Sequence, residues 1–143
     1  MTDRTTRPDL RTPMRPWFFA ALSNLLVAAC IGVVLRSIYI VEIPFVHFKP
    51  LLHAHSHVAM LGWLFIALTV FLLRDETPTG PSRLSRRLLF IAQLAVVAML
   101  FSFPVQGYGS VSIPASSVHL LVSYALGWRI WIATRGWAVQ GSR

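Results

Sequence analysis

The chain has 143 residues, of which 55% are hydrophobic and only 13% are charged. An average soluble domain carries about a quarter of charged residues, and the mean hydropathy of +0.62 departs from that pattern. This composition excludes an ordinary water-soluble enzyme and a disordered protein. A disulfide-built secreted module is excluded because the single Cys30 has no partner within the chain. The composition predicts one domain that is embedded in a lipid bilayer.

Four long apolar stretches predict four membrane-spanning helices. They cover residues 17–40, 50–73, 84–103 and 113–133. Each is long enough to cross a hydrocarbon core about 30 Å thick at about 1.5 Å per residue. Lipid offers no hydrogen-bond partners to the backbone, so helices are the only spanning structure that suits this pattern. The predicted fold class is therefore all-α, an integral membrane four-helix bundle over residues 17–135.

The placement of basic residues predicts the orientation of the bundle. The net charge is +8, and only Arg36 and Lys49 lie on the side of the second and fourth span entries. The other basic residues lie in the N-terminal tail, the loop between spans two and three, and the C-terminal region. The positive-inside rule then places both termini in the cytoplasm of a bacterial inner membrane. Residues 1–16 and 136–143 are predicted cytoplasmic tails, the first of them disordered.

Basic residues can also indicate nucleic-acid binding, but here they form no single patch. They lie between apolar runs, so the predicted partner is the lipid bilayer and not nucleic acid. Other membrane subunits or a second copy of the chain are further predicted partners. No redox partner can be identified from the sequence.

Histidines cluster near the outer end of the second span. The chain has five in all: His47, His53, His55, His57 and His119. Ionisable side chains within a membrane are costly and usually have a function. At 100° per residue, His53 and His57 share one helix face and His55 points nearly the opposite way. His119 lies in the fourth span.

Depth along the spans suggests that these imidazoles meet. His53 and His57 lie about 5 and 10 Å from the outer end of span two, and His119 about 9 Å from that of span four. Imidazoles on facing helices at one depth could hold a haem between them. Alternatively, His53, His57 and His119 could bind copper or zinc. Which of His53, His55 and His57 is the ligand stays open.

Each of the two basic residues on the predicted outer side could have one of two roles. Arg36 and Lys49 could bind haem propionates through charge-assisted hydrogen bonds. Equally, their long side chains could extend to lipid headgroups. The sequence alone does not choose between these roles.

The stretch His53–Trp63 reads His-Ala-His-Ser-His-Val-Ala-Met-Leu-Gly-Trp. It resembles the second helix of subunit I of the haem–copper oxidase superfamily, in particular the divergent bacterial cytochrome-oxidase-subunit-I-like branch near the cbb3-type oxidases and the NnrS membrane proteins. In cbb3-type oxidases a Pro-Leu-His stretch opens this helix, and its histidine ligates the low-spin haem b. The similar run Pro50–His53, with one extra leucine and with Gly62 beyond, implies haem b ligated by His53. An Ala-His-Gly pattern of other oxidases would instead favour His55.

The resemblance extends to residues 103–108 and the segment around His119, but subunit I has many more helices. Its copper ligands lie on later helices that this chain lacks. The resemblance therefore implies a truncated member, or a small subunit that completes its site by assembly, and not a complete oxygen-reducing enzyme.

Three functions remain open at this point. The first is a haem protein that passes electrons or binds a diatomic gas near the periplasmic face, with the redox chemistry supplied by the cofactor. The second is a copper- or zinc-binding protein for metal handling. The third is a cofactor-free interaction subunit whose histidines form hydrogen bonds between helices.

Overall fold

The structure, a computed structural model, describes residues 14–74 and 81–140, with only the backbone for residues 136–140. Within this part of the chain there are four helical rods and no strand, which confirms the all-α prediction. We number them α1 (Arg15–Ser37), α2 (Phe48–Leu72), α3 (Arg83–Gln106) and α4 (Ser112–Gln140).

The predicted element boundaries agree with the helices to within a few residues, with two exceptions at the ends. Helix α1 begins at Arg15, so the last residues of the predicted N-terminal tail are helical. Helix α4 continues to Gln140, well beyond the predicted span end, so the predicted tail begins as helix. Residues 1–13 and 141–143 lie outside the described part of the chain, as do residues 75–80.

Helix α3 passes through Pro104, where the sequence predicts a helix end. A proline removes one backbone N–H donor and disfavours a helix interior, but Pro104 lies in the last turn. The helix ends at Gln106 and is followed by Gly107. The φ of Gly107 is 60°, a value that glycine adopts more easily than other residues. Its N–H donates to the Phe103 carbonyl at 2.9 Å, which caps the end of the helix.

Three helices are long and apolar enough to cross a membrane: α1, α2 and α3. Helix α4 has the length but is not one of them. Its lower hydropathy has a local cause, because serines and the polar residues His119 and Arg129 interrupt its apolar sequence. The three candidate spans are consistent with a membrane protein.

The helices pack in chain order, with α1 along α2, α2 along α3, and α3 along α4. One buried cluster lies toward the end where α1 and α3 begin; it contains Met14, Ala21, Ile66, Val70, Leu73, Leu89, Ala92, Val122 and Leu126. The second lies toward the opposite end and contains Ala28, Ala54, Val58, Val96, Met99 and Phe103. The buried alanines let neighbouring backbones approach closely, as is common between helices in lipid.

Large apolar side chains cover the outer surface of the bundle. Examples with more than half of their surface exposed are Phe19, Leu26, Phe71, Phe101 and Leu121. Soluble monomers rarely expose contiguous apolar surface on this scale. A hydrocarbon solvent removes the cost of that exposure, so the surface agrees with the composition.

The middle of α2 is a π-helix from Val58 to Phe65. Such wide turns are rare and occur often at functional sites. Within it, Gly62 is buried, and a Cβ there would lie 2.9 Å from Val96 Cγ1 and 3.0 Å from Asn24 Cγ. The glycine therefore allows α1, α2 and α3 to meet at one point.

Candidate imidazole site

The three histidines of α2 divide between two faces, as the helical periodicity predicts. His55 contacts α1, where its Nδ1 lies 2.9 Å from the Ala28 carbonyl oxygen. A carbonyl can only accept, so Nδ1 carries the hydrogen. The ring also lies against Gly32, where a Cβ would approach Cε1 to 3.1 Å. His55 thus joins α1 to α2.

His53 and His57 face α3 instead. Their rings lie 5.9 and 4.5 Å from the ring of Phe103, centre to centre. Tyr108, in the loop after α3, contacts the ring of His53 edge-on at 4.9 Å. The two imidazoles therefore lie in an aromatic environment at the end of the bundle opposite the starts of α1 and α3.

The orientation of His57 is fixed by its own helix. Its Nδ1 donates to the His53 carbonyl oxygen at 2.8 Å, one turn earlier. With the hydrogen on Nδ1, the other ring nitrogen, Nε2, carries a lone pair. This is the arrangement that a metal-ligating histidine normally has, because a hydrogen bond from one nitrogen orients the other.

His119 is 1% exposed and is the largest polar side chain buried in the described bundle. The Ser123 hydroxyl donates to the His119 carbonyl oxygen at 2.8 Å and lies 3.2 Å from the ring nitrogen Nδ1. When the Ser123 hydroxyl uses its one hydrogen for the His119 carbonyl, Nδ1 donates to the Ser123 oxygen. As in His57, this leaves the lone pair on Nε2.

The Nε2 atom of His119 is buried and makes no hydrogen bond with the residues that the structure describes. The backbone of Leu61 adjoins the ring without completing a hydrogen bond. A buried polar atom without a partner costs about 1–3 kcal/mol. Such atoms are uncommon, and each one calls for an explanation such as a bound ligand or an ordered water.

A cleft leads to His119 from the bundle surface. It has a volume of about 290 Å³ and is lined by Leu61, Ser116, Ser117, His119, Leu120 and Ser123. The hydroxyls of Ser116 and Ser117 donate to carbonyls of their own helix. Their oxygens can still accept hydrogen bonds, so the cleft combines a buried imidazole with polar walls.

The sequence predicts similar depths for His119 and for the pair His53 and His57. In the structure, His119 contacts Phe65 at 5.1 Å between ring centres and adjoins the backbone of Leu61, one turn after His57. His119 therefore lies beside the part of α2 that follows His57.

The predicted three-imidazole metal site is not assembled in the described residues, which hold no group of three or more His, Cys, Asp or Glu side chains placed for one ion. A site with two imidazoles remains compatible with the geometry. Of the two candidates on α2, His57 lies closer to His119 along the helix and has its Nδ1 engaged. His53 shows no such hydrogen bond within the described part of the chain.

Arg36 and Lys49, the predicted propionate ligands, are both exposed. Arg36 lies in the last turn of α1 and Lys49 in the first turn of α2, at the same end of the bundle as His53. Within the described residues neither makes a hydrogen bond or ion pair. His47, also exposed, precedes α2 as its N-cap residue.

A second polar cluster was not predicted as a unit. The Asn24 amide Nδ2 donates to the Gly62 carbonyl at 2.8 Å and to Gln93 Oε1 at 2.9 Å. Gln93 Nε2 donates back to Asn24 Oδ1 at 3.2 Å. This cluster connects α1, α2 and α3 at mid-bundle. The signal for it was available, because Asn24 and Gln93 are the amide side chains deep within their apolar stretches.

The π-helical turn connects the two polar clusters. The Gly62 carbonyl accepts from Asn24 on one side, and the adjacent Leu61 backbone adjoins His119 on the other. Irregular backbone at membrane depth is tolerated where neighbouring protein groups surround it. The wide turn thus presents adjacent backbone groups to α1 and to α4.

Comparison with protein-family models, with curated proteins and with solved structures finds no match to the chain. The resemblance to subunit I of the haem–copper oxidases consequently depends on the quoted residues alone. Any functional proposal has to follow from the geometry of the site.

Proposed function

We propose that the chain is a four-span protein of a bacterial inner membrane that binds haem near the periplasmic face. The ligands would be His57 and His119. The observation that carries the proposal is the buried Nε2 of His119, which has no hydrogen-bond partner although Nδ1 is engaged by Ser123. An iron or another metal ion is the kind of partner that a neutral imidazole lone pair accepts.

The proposal includes α4 as the fourth span. Two of its polar groups, Ser112 and His119, are buried within the bundle, while Leu121 and Trp128 face outward. The Ser116 and Ser123 hydroxyls donate to carbonyls one turn earlier. These internal hydrogen bonds lower the cost of placing the serines in lipid.

The arginine distribution supports cytoplasmic termini for such a bundle. Four spans return the chain to the side from which it started. The imidazoles then lie nearer the periplasmic face, with Arg36 and Lys49 available for propionates at the rim.

A haem held by these residues would supply one-electron redox chemistry or a site for a diatomic gas. The chain contributes the orientation of the imidazoles and the apolar surroundings. His57 is oriented by the His53 carbonyl and by contact with Phe103, and His119 by Ser123 and contact with Phe65. Hydrogen bonding and burial of this kind influence the redox potential of the iron.

The test is an absorption spectrum of the full chain, purified in detergent from cells supplied with haem, oxidised and then reduced. We expect a Soret band that shifts on reduction. His119→Ala and His57→Ala should lose the band, while His47→Ala, which changes an exposed histidine, should keep it. The band should also survive in His55→Ala if that variant retains its helical content.

A colourless wild-type protein from haem-supplied cells would contradict haem binding. The same imidazole pair, with both Nε2 lone pairs open, also suits copper or zinc. Elemental analysis of the colourless protein separates these cases. Stoichiometric copper or zinc that is lost in His119→Ala would establish the metal-handling function in place of the haem function.

A further inference from the structure

A groove lies at the end of the bundle opposite the histidines, between the first turns of α1 and α3. It has a volume of about 680 Å³ and is lined by Pro16, Trp17, Arg83, Arg86, Arg87, Phe90 and Ile91. This volume is in the range of small-molecule sites in proteins, about 300–1,000 Å³. The cytoplasmic orientation proposed above places the groove at the inner membrane surface.

The part of the groove beside the first turns of α3 is strongly cationic. Arg83, Arg86 and Arg87 are exposed, and none of them makes an ion pair or hydrogen bond within the described residues. The one carboxylate in the described part of the chain is Glu42, in the loop at the other end. These guanidinium groups are therefore available to an anionic ligand.

Helix polarity adds to this positive charge. Both α1 and α3 begin at the groove, so the positive ends of two helix dipoles point toward it. Pro16 lies in the first turn of α1, where the missing N–H of proline is tolerated. The guanidinium groups and the helix ends together favour a phosphate group.

The part of the groove farther along α3 is apolar. Residues 83, 87, 90 and 91 recur at helical spacing, so the basic and apolar side chains of α3 share one face. Phe90 and Ile91 are 56% and 40% exposed and continue from the arginines toward mid-bundle. Trp17, which is half-buried, lies on the other wall, and tryptophan is enriched at the membrane interface.

We propose that this groove binds an anionic phospholipid of the inner leaflet. Arg83, Arg86 and Arg87 would bind the phosphodiester, and an acyl chain would lie along Phe90 and Ile91. A soluble phosphate compound would match the arginines but leave the apolar wall without a partner. Basic pockets between helices on the cytoplasmic side are suited to acidic headgroups.

Some other basic residues of the described bundle have partners within it or lie at its other end. The Arg135 guanidinium carbon lies 3.6 Å from the centre of the Trp131 ring, and Arg129 donates to the Ser82 hydroxyl at 3.0 Å. Arg36 and Lys49 lie at the opposite end of the bundle. Their double substitution is therefore a matched control that removes the same charge from a different surface.

The test uses the full chain in detergent micelles, incubated with phosphatidylglycerol or phosphatidylcholine and analysed by native mass spectrometry for retained lipid. The wild type should retain phosphatidylglycerol preferentially. Arg86→Gln/Arg87→Gln should weaken that retention about tenfold or more, since each basic residue near an acidic headgroup contributes about 1 kcal/mol. Arg36→Gln/Lys49→Gln should leave it unchanged.

Two results would overturn the proposal: equal retention of both lipids by the wild type, or equal loss of phosphatidylglycerol in the two double variants.

The wild type also permits a test without mutation. Soluble glycerol phosphate should fail to displace the bound lipid, and full displacement at equal concentration would indicate a soluble anion site instead. Haem binding is not involved in any of these readouts, so failure here leaves the histidine site unaffected.

Discussion

The two polar clusters inside the bundle differ in whether all of their polar side-chain atoms are hydrogen bonded. In the Asn24–Gln93 cluster both side-chain amides are hydrogen bonded, and the Gly62 carbonyl is included. In the His119 cluster one buried nitrogen has no hydrogen-bond partner. Completed networks hold helices together in lipid, whereas an incomplete one indicates that a partner is missing. We therefore propose that the first cluster stabilises the bundle and that the second binds a ligand.

The largest effect on the structural cluster is expected for Gly62→Ala. The new Cβ would lie 2.9 Å from Val96 Cγ1 and 3.0 Å from Asn24 Cγ, too close for either to stay in place. Overpacking of this kind costs about 1–3 kcal/mol. Thermal unfolding of the detergent-solubilised protein would measure the loss.

Gly127→Ala is the matched control, because a Cβ at Gly127 meets nothing within 4 Å. Alanine favours a helix over glycine by about 1 kcal/mol, so this variant should be as stable as the wild type or slightly more stable. Equal destabilisation by both substitutions would show that Gly62 is not a point of close helix approach.

A smaller effect is expected when Asn24→Leu and Gln93→Leu are compared in a double-mutant cycle. Hydrogen bonds between helices in membranes contribute about 0.6–2 kcal/mol, and each single variant leaves a partner unpaired. The double variant should consequently lose less stability than the two singles together. Strict additivity would mean that the two amides do not interact.

Much of this organisation could be predicted from the sequence. Apolar runs predicted the helices, because burial in lipid and helix length are local properties of a stretch such as Arg15–Ser37. The opposite faces of His55 and His57 followed from helical periodicity alone.

The parts that could not be predicted depend on contacts between helices. The contacts of His119 with Phe65 and Leu61 depend on how α4 packs along the bundle, and no periodicity within α4 encodes that position. The π-helical turn accepts a hydrogen bond from Asn24 on α1 and lies beside His119 on α4, so the sequence of α2 in isolation does not reveal it. Arg83 and Trp17 likewise meet only after α1 and α3 pack side by side.

The smallest effects are expected for two matched histidine substitutions in the ligand-free protein. His55→Leu removes the bond to the Ala28 carbonyl and should cost about 0.5–1.5 kcal/mol. His119→Leu removes a polar atom that has no partner at Nε2, so its cost should be no larger than that of His55→Leu. Thermal unfolding of both variants side by side measures the difference. A much larger loss for His119→Leu would show that this imidazole has a structural role in the bundle.

If the open nitrogen of His119 binds a ligand, as we propose, the stability of the fold should depend on that ligand. A ligand that binds only the folded state raises the unfolding temperature. Addition of haem, or of copper or zinc in the alternative case, should raise it for the wild type and for Gly127→Ala, but not for His119→Leu. The same ligand-induced rise in His119→Leu and the wild type would contradict the claim, as would no rise in the wild type with any of these ligands.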